Sequence, residues 1–458
     1  MANSDLHTAK EAKKDEFYTD LSDIQAEMTN YPDKFKDKIV LCNCDDPFES
    51  NFVKYFLMNF NRLGLKELIA TGYKTSSIGG AEIGTANTPY VLRVKDTSKY
   101  LVGTQKDLDV RGAKYFLETE GNKVMTPLIG NNALDEEGNQ IQITVKEPVV
   151  DEDGNEVLDN KGKVKTKSVK KDLYYEAGDF RSDMSLALLS EADIVVTNPP
   201  FSLFREFVAV LMKYKKQFLI IGNVNAITYK EIFPLIRSNE LWFGPSISSG
   251  DRKFYVPDDY SLDASNCGID KNGRRFIRVK GVRWFTNIDH AKRHQMLPLD
   301  LGFVYKGHED MYPKYDNYDA INVDKTAEIP SDYTGVMGVP ITFLDKYCPE
   351  QFEIVAFRKG EDGKDLVFTR EREREFNHTF VCLYDLDCRD DKKCRRQNQW
   401  ETYLCENNNQ TQIEPIDYFF PNSMPINGCM NSPKDTAING EKKYARILIR
   451  YKLKDGDN

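Results

Sequence analysis

The run Asp193-Ile194-Val195-Val196-Thr197 stops at Asn198-Pro199-Pro200-Phe201, and this junction constrains the fold more than any other feature of the chain. A short apolar run without polar alternation reads as a strand buried on both faces. Consecutive prolines lack the N–H groups that would extend a hydrogen-bond ladder, so the strand ends there. Leu203, Phe204, Phe207, Val208 and Leu211 then recur at helical spacing, with Ser202 as the candidate cap. Strand, turn and helix make one half of an α/β unit. In such sheets ligands bind beyond the carboxyl ends of the strands, which is where this turn lies.

The turn has a specific chemistry. Asn198 offers a side-chain carbonyl, and Pro199 offers a backbone carbonyl with no competing N–H. Phe201 offers a ring on which a base can stack, and Pro200 completes the turn. Two acceptors beside an aromatic face suit the exocyclic amine of an adenine extruded from its duplex. Such an amine is a poor nucleophile because its lone pair is delocalised into the ring. Acceptors that hold its N–H bonds out of the ring plane localise that pair for attack on an electrophilic methyl group, with sulfonium-bound methyl as the natural donor. Orientation and preorganised electrostatics carry such a reaction, with no metal required. Asn-Pro-Pro is also an ordinary exit from a buried strand, and short motifs mislead often. The apolar strand before it and the helical pattern after it favour the chemical reading.

Composition sets outer bounds. The chain has 458 residues, 40% of them hydrophobic, enough for a catalytic domain and a further domain or large insertions. It opens on polar residues and has no apolar run of about 18 residues, so the expectation is a soluble cytoplasmic protein with no membrane partner. The net charge of -9 does not advertise nucleic-acid binding, but a duplex meets local patches rather than the total. Lys271, Arg274, Arg275, Arg278, Lys280 and Arg283 form such a patch, with Phe276, Ile277, Val279 and Val282 interleaved. It reads equally as a solvated basic strand or as a DNA-facing one. Cys42 and Cys44 sit on a buried-looking strand and serve as small apolar residues. Cys382, Cys388, Cys394, Cys405 and Cys429 are spaced too irregularly for a zinc knuckle, so no metal site is expected.

Along the chain, residues 1–31 read as polar and helical. Lys38 to Cys44 reads as a strand running into the acidic turn Asp45-Asp46-Pro47, and Phe52, Val53, Phe56 and Leu57 as the buried face of a helix. Leu65 to Tyr73 reads as a second strand. From about residue 74 to 173 the pattern weakens into an inserted β-rich segment, with Val145 to Asp172 as an exposed charged hairpin. The hairpin reads as solvated charge, with a DNA-contacting arm as its other role. Gly178-Asp179-Phe180-Arg181-Ser182 precedes a helix around Met184 to Leu189. The strand Phe218 to Ile221 and a helix over Tyr229 to Ile236 follow. Alternating strands and helices predict a largely parallel sheet with helices on both faces. A Cys-bearing insertion covers about residues 368–438, Arg446 to Tyr451 closes the chain as a strand, and no internal repeat is apparent.

Several blocks together resemble the EcoRI-type adenine-specific DNA methyltransferases of restriction–modification systems. They are Asp15 to Thr19, Cys42 to Pro47, Gly178 to Ser182, Asp193 to Arg205, Phe218 to Asn225, Tyr312 to Val323 and Gly335 to Phe343, in family order. The resemblance implies an α/β fold: a Rossmann-like class I methyltransferase sheet with helices on both faces, plus insertions and a C-terminal target-recognition region. It implies a catalytic domain over residues 1–243 and target recognition over residues 244–458. S-adenosylmethionine would be the methyl donor, N6-methyladenine in double-stranded DNA the product, and a palindrome such as GAATTC the kind of site.

By the same resemblance, Phe17, Tyr18 and Thr19 border the methionine end of the donor. Asn43, Asp45, Asp46, Pro47 and Phe48 form the donor loop, and Asp179 and Phe180 stand at the donor's adenine. Asn198, Pro199, Pro200 and Phe201 form the catalytic turn. Parts of residues 244–306 fall outside the resemblance; there the basic patch itself, through Arg274, Arg275, Arg278, Lys280 and Arg283, would supply the DNA contacts. A monomer in a bacterial or phage-infected cell would protect DNA from a cognate restriction endonuclease. Two departures stand out: Glu49, Ser50 and Asn51 occupy a loop that is usually glycine-rich, and the second strand ends at Thr71-Gly72-Tyr73 without the usual ribose-binding acid, which leaves Asp45 as the candidate for that contact. Two other readings stand beside this one. The same motif class methylates guanine N2 in RNA or glutamine amides in proteins, and a DNA-binding protein without turnover would also retain the pocket.

Overall fold

The computed structural model describes residues 18–45, 50–72, 89–95, 124–151, 156–159, 162–256, 267–271, 273–299, 302–315, 319–357, 437–438, 441–442 and 446–452. The chain divides into two compact units. The first takes Met1–Asn223 and Ser249–Ile288, and the second takes Val224–Ser248 and Asp289–Asn458.

The first unit begins with β1 (Tyr18–Thr19) and α1 (Leu21–Met28), so the expected N-terminal helix starts only at Leu21 among the described residues. Asp20 stops it from starting earlier: its backbone is extended, and its side chain accepts from the Ser22 N–H as an N-cap. Next come β2 (Ile39–Cys42), α2 (Asn51–Leu63), β3 (Glu67–Thr71), β4 (Tyr90–Val94), β5 (Val124–Pro127) and β6 (Asn131–Asn132). Gly64 ends α2 at φ +63°, a left-handed backbone that glycine adopts without strain. Then follow β7 (Gln142–Pro148), β8 (Thr166–Asp172), β9 (Tyr174–Tyr175), α3 (Asp183–Glu191), β10 (Ile194–Thr197), α4 (Phe204–Lys213) and β11 (Gln217–Asn223). Past β12 (Trp242–Phe243), which belongs to the second unit, the first resumes with β13 (Asp251–Tyr255), β14 (Cys267–Ile269), β15 (Arg275–Lys280) and β16 (Val282–Thr286).

The main sheet of this unit runs β16-β11-β10-β2-β3-β4-β5. Its centre is parallel as expected: β11, β10, β2 and β3 all run one way. Both flanks are antiparallel, through β16 on one side and β4 and β5 on the other. Every residue of β10 and of β3 is buried, as strands covered on both faces require. The cover is read from two neighbours on β16. Trp284 meets Phe52 of α2 edge-on at 5.9 Å, and Phe285 meets Phe204 of α4 at 4.9 Å. Adjacent strand residues point to opposite faces, so α2 and α4 lie on opposite sides of the sheet. Gly222 on β11 has no side chain because one would overlap the Phe204 ring: a Cβ there would stand 2.4 Å from it.

A second, antiparallel sheet orders β1-β13-β15-β14. The expected charged hairpin exists as β7 paired with β8, and its residues are mostly exposed. Here the structure reveals a repeat that the sequence did not suggest at first reading. In Asp135–Asn139, Asp159–Lys163 and Asp270–Arg274 the same turn recurs: an Asp, then a glycine three residues on and a polar residue after it. In each, the glycine N–H donates to the Asp carbonyl, the Asp N–H donates to the carbonyl four residues on, and the Asp Oδ1 accepts the N–H of that residue. The glycines take φ of +85°, +74° and +80°, which explains why the spacing is fixed while the neighbours vary.

The second unit includes α5 (Phe233–Arg237), shorter than the helix expected over Tyr229 to Ile236, with a 3-10 turn over Val224–Thr228 before it. Its sheet orders β17 (Ala320–Asn322), β18 (Val336–Pro340), β22 (Arg446–Tyr451) and β19 (Phe352–Phe357). The short β20 (Ala437–Ile438) and β21 (Glu441–Lys442) pair with each other. The final strand has the bounds expected from its apolar pattern. Tyr315, buried beneath this sheet, donates to Asn322 Oδ1 at 2.8 Å, and Arg446 Nε donates to the same oxygen at 3.0 Å. Gly338 admits the Tyr315 ring where any side chain would collide with it.

Candidate active site

The strand order places the site. From β2 the chain passes to β3 on one side, while β10 and β11 lie on the other, so the connections diverge between β2 and β10. A crevice opens at such a point beyond the carboxyl ends. Residues Asn43 to Asp45 follow β2, and Asn198 to Phe201 follow β10, so two of the sequence-selected blocks meet there.

The two strand ends are tied by hydroxyls. The Cys44 N–H donates to Thr197 Oγ1 at 3.2 Å, and the Thr197 hydroxyl donates to Asp45 Oδ2. The Ser50 hydroxyl donates to Asp45 Oδ1 at 2.8 Å, while Ser50 Oγ accepts from the Phe52 N–H and caps α2. The Asp45 N–H donates to the Thr71 carbonyl at 3.1 Å, and the Thr71 hydroxyl returns to the Asn43 carbonyl at 3.1 Å. Asp45 is 7% exposed, so these donors offset much of the cost of burying its charge. Burial, with the nearby Asp45 charge, pushes the Cys42 thiol well above its ordinary pKa, so that cysteine is an inert packing residue.

Asn198 is 8% exposed, Pro199 is buried and Phe201 is half-buried. Phe201 opens a short 3-10 turn, and α4 begins at Phe204. Leu203, and not the expected Ser202, occupies the N-cap position of α4, without a side-chain hydrogen bond. The Phe201 ring meets Phe254 edge-on at 6.3 Å. Phe254 pairs across the small sheet with Thr19, whose carbonyl accepts from Asn51 Nδ2 at 2.6 Å. Asn51 follows the Ser50 that holds Asp45. Thr19, Asn51, Ser50, Asp45, Thr197 and the Asn198 turn therefore close a ring of contacts back through Phe201 and Phe254. Thr19 is 3% exposed, and its Oγ1 has no hydrogen-bond partner among the described residues.

Asp179 stands on a tight turn before α3, with its N–H donating to the Glu176 carbonyl. Its carboxylate is held by Arg181. The Arg181 backbone N–H and Nε each reach Oδ1 at 2.9 Å, and Nη2 reaches Oδ2 at 2.8 Å. Phe180 is buried edge-on against Phe207 of α4 at 5.0 Å.

With this geometry in place, the relatives of the chain are informative. Residues 5–452 match the family described as adenine-specific methyltransferase EcoRI. The chain belongs to this family. The Escherichia coli type II methyltransferase M.EcoRI is 44% identical over 365 residues, which span 80% of this chain and 92% of the relative. The Mycoplasma pneumoniae type II methyltransferase M.MpnI is 35% identical over 353 residues, 76% of this chain and 84% of the relative. The Mycoplasma genitalium type II methyltransferase M.MgeORF184P is 35% identical over 354 residues. No solved structure matches the chain. The chain is thus a DNA adenine methyltransferase of the restriction–modification type, as the sequence blocks implied.

The remaining selected residues of this methyltransferase fall in several places. Tyr18 lies in β1 opposite Tyr255. Phe17, Asp46, Pro47 and Phe48 lie outside the described residues, as do Cys382, Cys388, Cys394, Cys405 and Cys429. No group of His, Cys, Asp and Glu among the described residues could hold a metal ion, and no helix among them is long and apolar enough to cross a membrane.

The basic segment is split by its strand. On β15, Ile277 and Val279 are buried, while Arg278 and Lys280 are exposed on the other face and Arg275 is half-buried. Arg274 is tied to Asp270 by Nη2 at 3.1 Å and donates to the Tyr255 hydroxyl at 2.8 Å. Arg283 is 5% exposed on β16, where its Nη1 donates to the Val282 carbonyl. Lys253 on β13 pairs with Arg278, and its ammonium lies 4.4 Å from the Phe276 ring centre, adding a cation that sequence reading missed.

Thr197, Arg181 and Phe254 were also missed as site residues. Thr197 did leave a signal: it is the one hydroxyl in an otherwise aliphatic strand, directly before Asn198.

Proposed function

We propose that this methyltransferase methylates N6 of an adenine turned out of duplex DNA, with Asn198 and Pro199 accepting from the amine and Phe201 stacking on the base. The observation that carries the reading is the Asn198 turn at the divergence of β2 and β10, braced by Thr197 and Asp45. Anchored acceptors cost no reorganisation when the amine attacks, which is where such sites gain rate. Stacking on an aromatic side chain contributes ~1–3 kcal/mol per base, the order of the few kcal/mol that extrusion costs.

S-adenosylmethionine, when bound, supplies the electrophilic methyl group. The residues present fit such a ligand: a buried hydroxyl on Thr19 that is unmatched among the described residues, carboxylates at Asp45 and Asp179, and aromatic edges suit an amino acid joined to a nucleoside. Thr19 would meet the amino-acid end, with Phe17 and Tyr18 beside it. Asn43, Asp45, Asp46, Pro47 and Phe48 would form the donor loop, with Asp45 at the ribose, and Asp179, with Phe180 behind it, would accept from the donor's adenine. Parallel β3, β2, β10 and β11 with an antiparallel β16 alongside support a Rossmann-like class I sheet. In this reading residues 1–243 carry catalysis and residues 244–458 carry target recognition, and Arg274, Arg275, Arg278, Lys280 and Arg283 are the DNA-contacting set. Arg278 and Lys280 are its best-supported members because both are exposed. The enzyme works as a monomer in the cytoplasm and protects DNA from a cognate endonuclease. The type II names of its relatives support that role.

Sequencing the DNA of a host that expresses the enzyme, or its Asn198→Ala form, tests the reading. The wild type should leave N6-methyladenine at a single motif. The variant should leave none, with a rate loss of at least about 100-fold in vitro, yet bind the donor normally. Methylation retained by Asn198→Ala would overturn its role, and methyl label found in RNA or protein instead of DNA would overturn the substrate.

A further inference from the structure

One guanidinium joins three parts of the site. Arg181 fills both lone-pair sites of Asp179 Oδ1, with its backbone N–H and Nε, and one site of Oδ2 with Nη2. A carboxylate has about four such sites, so a single acceptor position remains, on Oδ2. The other end of the fork, Nη1, donates to Glu206 Oε2 at 2.6 Å. Glu206 stands in the first turn of α4, the helix that follows the Asn198 turn. The same guanidinium lies 4.9 Å from the Tyr175 ring centre and 5.1 Å from that of Phe180. Gly178, at φ +82°, is the third residue of the turn that the Asp179 N–H closes onto the Glu176 carbonyl, and so sets where Asp179 begins.

We propose that Arg181 is a positioning residue for the methyl donor: it aims the remaining Oδ2 acceptor of Asp179 at the donor's adenine amine and fastens that acid to the helix behind the catalytic turn. The proposal rests on the reading that Asp179 contacts the donor's adenine. Arginine suits the task because its planar fork reaches two carboxylates at once, whereas a lysine ammonium acts as a point charge on one of them. Arg181 itself does not touch the reacting atoms. It acts through the orientation of Asp179, and it places donor binding and the acceptor-amine pocket on one rigid connection.

The test is calorimetric titration of the full chain with S-adenosylhomocysteine, beside steady-state methylation of a duplex substrate. Arg181→Lys should weaken binding about tenfold, the scale of one charge-assisted hydrogen bond, and should raise the donor KM while kcat stays within about twofold. Glu206→Gln keeps the Asp179 contacts and releases only the helix end, so it should weaken binding by about threefold. It serves as the second variant should Arg181→Lys fold poorly. Arg181→Ala should bind the donor no better than Arg181→Lys. Asp179→Ala separates the two ideas. If it binds the donor as tightly as wild type, the donor role of Asp179 fails and the Arg181 proposal falls with it. If Asp179→Ala weakens binding while Arg181→Lys and Glu206→Gln both bind within twofold of wild type, only the Arg181 proposal is overturned. A merely structural arginine would lower the melting temperature of Arg181→Lys without moving its donor KM, and that outcome also counts against it.

Discussion

The crevice between β2 and β10 and the β7–β8 arm belong to the same unit, yet they use polar residues in opposite ways. In the crevice, buried polar groups hold one another: Thr197 and Ser50 donate to Asp45, Thr71 donates to the Asn43 carbonyl, and Arg181 grips Asp179. On the arm, side chains on both faces meet water, and the pairs are local, such as Lys171 with Glu147 at 2.5 Å and Gln142 with Asp172 at 2.9 Å. Val145 faces Val169 across the arm, and Ile143, opposite Lys171, is itself exposed. A buried network fixes geometry because each broken partner leaves an unsatisfied neighbour. An exposed ladder fixes little because water replaces what is lost.

The sharpest way to break this contrast is to remove a crevice hydroxyl. Thr197→Val keeps the β-branched shape and the strand, but it strips Asp45 of one donor and leaves the Cys44 N–H without its acceptor. Orphaned buried groups of this kind cost about 1–3 kcal/mol each, more for a charged one. The variant should melt several degrees lower and methylate at least about tenfold more slowly, because the residue before Asn198 is no longer held. A Thr197→Val enzyme with wild-type melting and rate would show that the hydroxyl bridge does not brace the Asn198 turn.

Phe201→Ala is expected to rank next. It removes the proposed stacking face and the edge contact to Phe254, while the prolines still end the strand. Loss of ~1–3 kcal/mol of stacking converts to about 5- to 150-fold in the KM for duplex DNA. The same loss should be small on a substrate whose target adenine is already unpaired, since less extrusion energy is then needed. Equal losses on paired and mismatched substrates would argue that Phe201 supports the fold instead.

How much of this was legible beforehand follows the same division. The strand β10, its Asn-Pro-Pro-Phe exit, the final strand and the charged hairpin were all readable, because periodicity and proline chemistry are local. The antiparallel flanks β4, β5 and β16 were not, since a strand's direction depends on partners far away in the chain. Arg283 looked like part of a basic run, but its position on β16 buries it, a matter of sheet order that spacing does not encode. Asp270 lies just before that run and takes up Arg274, so counting charges only inside the segment overstated what is available for DNA. The repeated Asp-to-Gly turn escaped notice because only two of its positions are fixed, and those two are set by backbone geometry.

The basic face of β15 combines both behaviours: Arg278 and Lys280 are exposed but ride on a strand whose other face is packed. If both meet phosphates, Arg278→Ala with Lys280→Ala should weaken duplex binding at every sequence alike. The slope of log K against log salt should become shallower by about 2. Donor binding and melting temperature should stay unchanged, because neither side chain supports the core. An unaltered salt slope would return this strand to the solvated reading.

The smallest effect should come from the arm itself. Joining Ile141 to Leu173 through a two-residue Asn-Gly turn removes β7, β8 and everything between them. The Leu173 N–H already donates to the Ile141 carbonyl at 2.8 Å, so the ends are in register for a hairpin. The deletion takes away exposed ion pairs worth at most about 1 kcal/mol each and little apolar contact. Melting should shift by no more than about 2 °C and methylation by less than twofold. Unlike the Arg278 and Lys280 substitutions, it should leave the salt slope untouched, because the arm's acids and lysines neutralise one another locally, as Glu147 and Lys171 do. A clear fall in duplex affinity at unchanged stability would move the arm from the solvated class to the DNA-contacting one, and the contrast with the crevice would then concern what each region binds instead of how well it is buried.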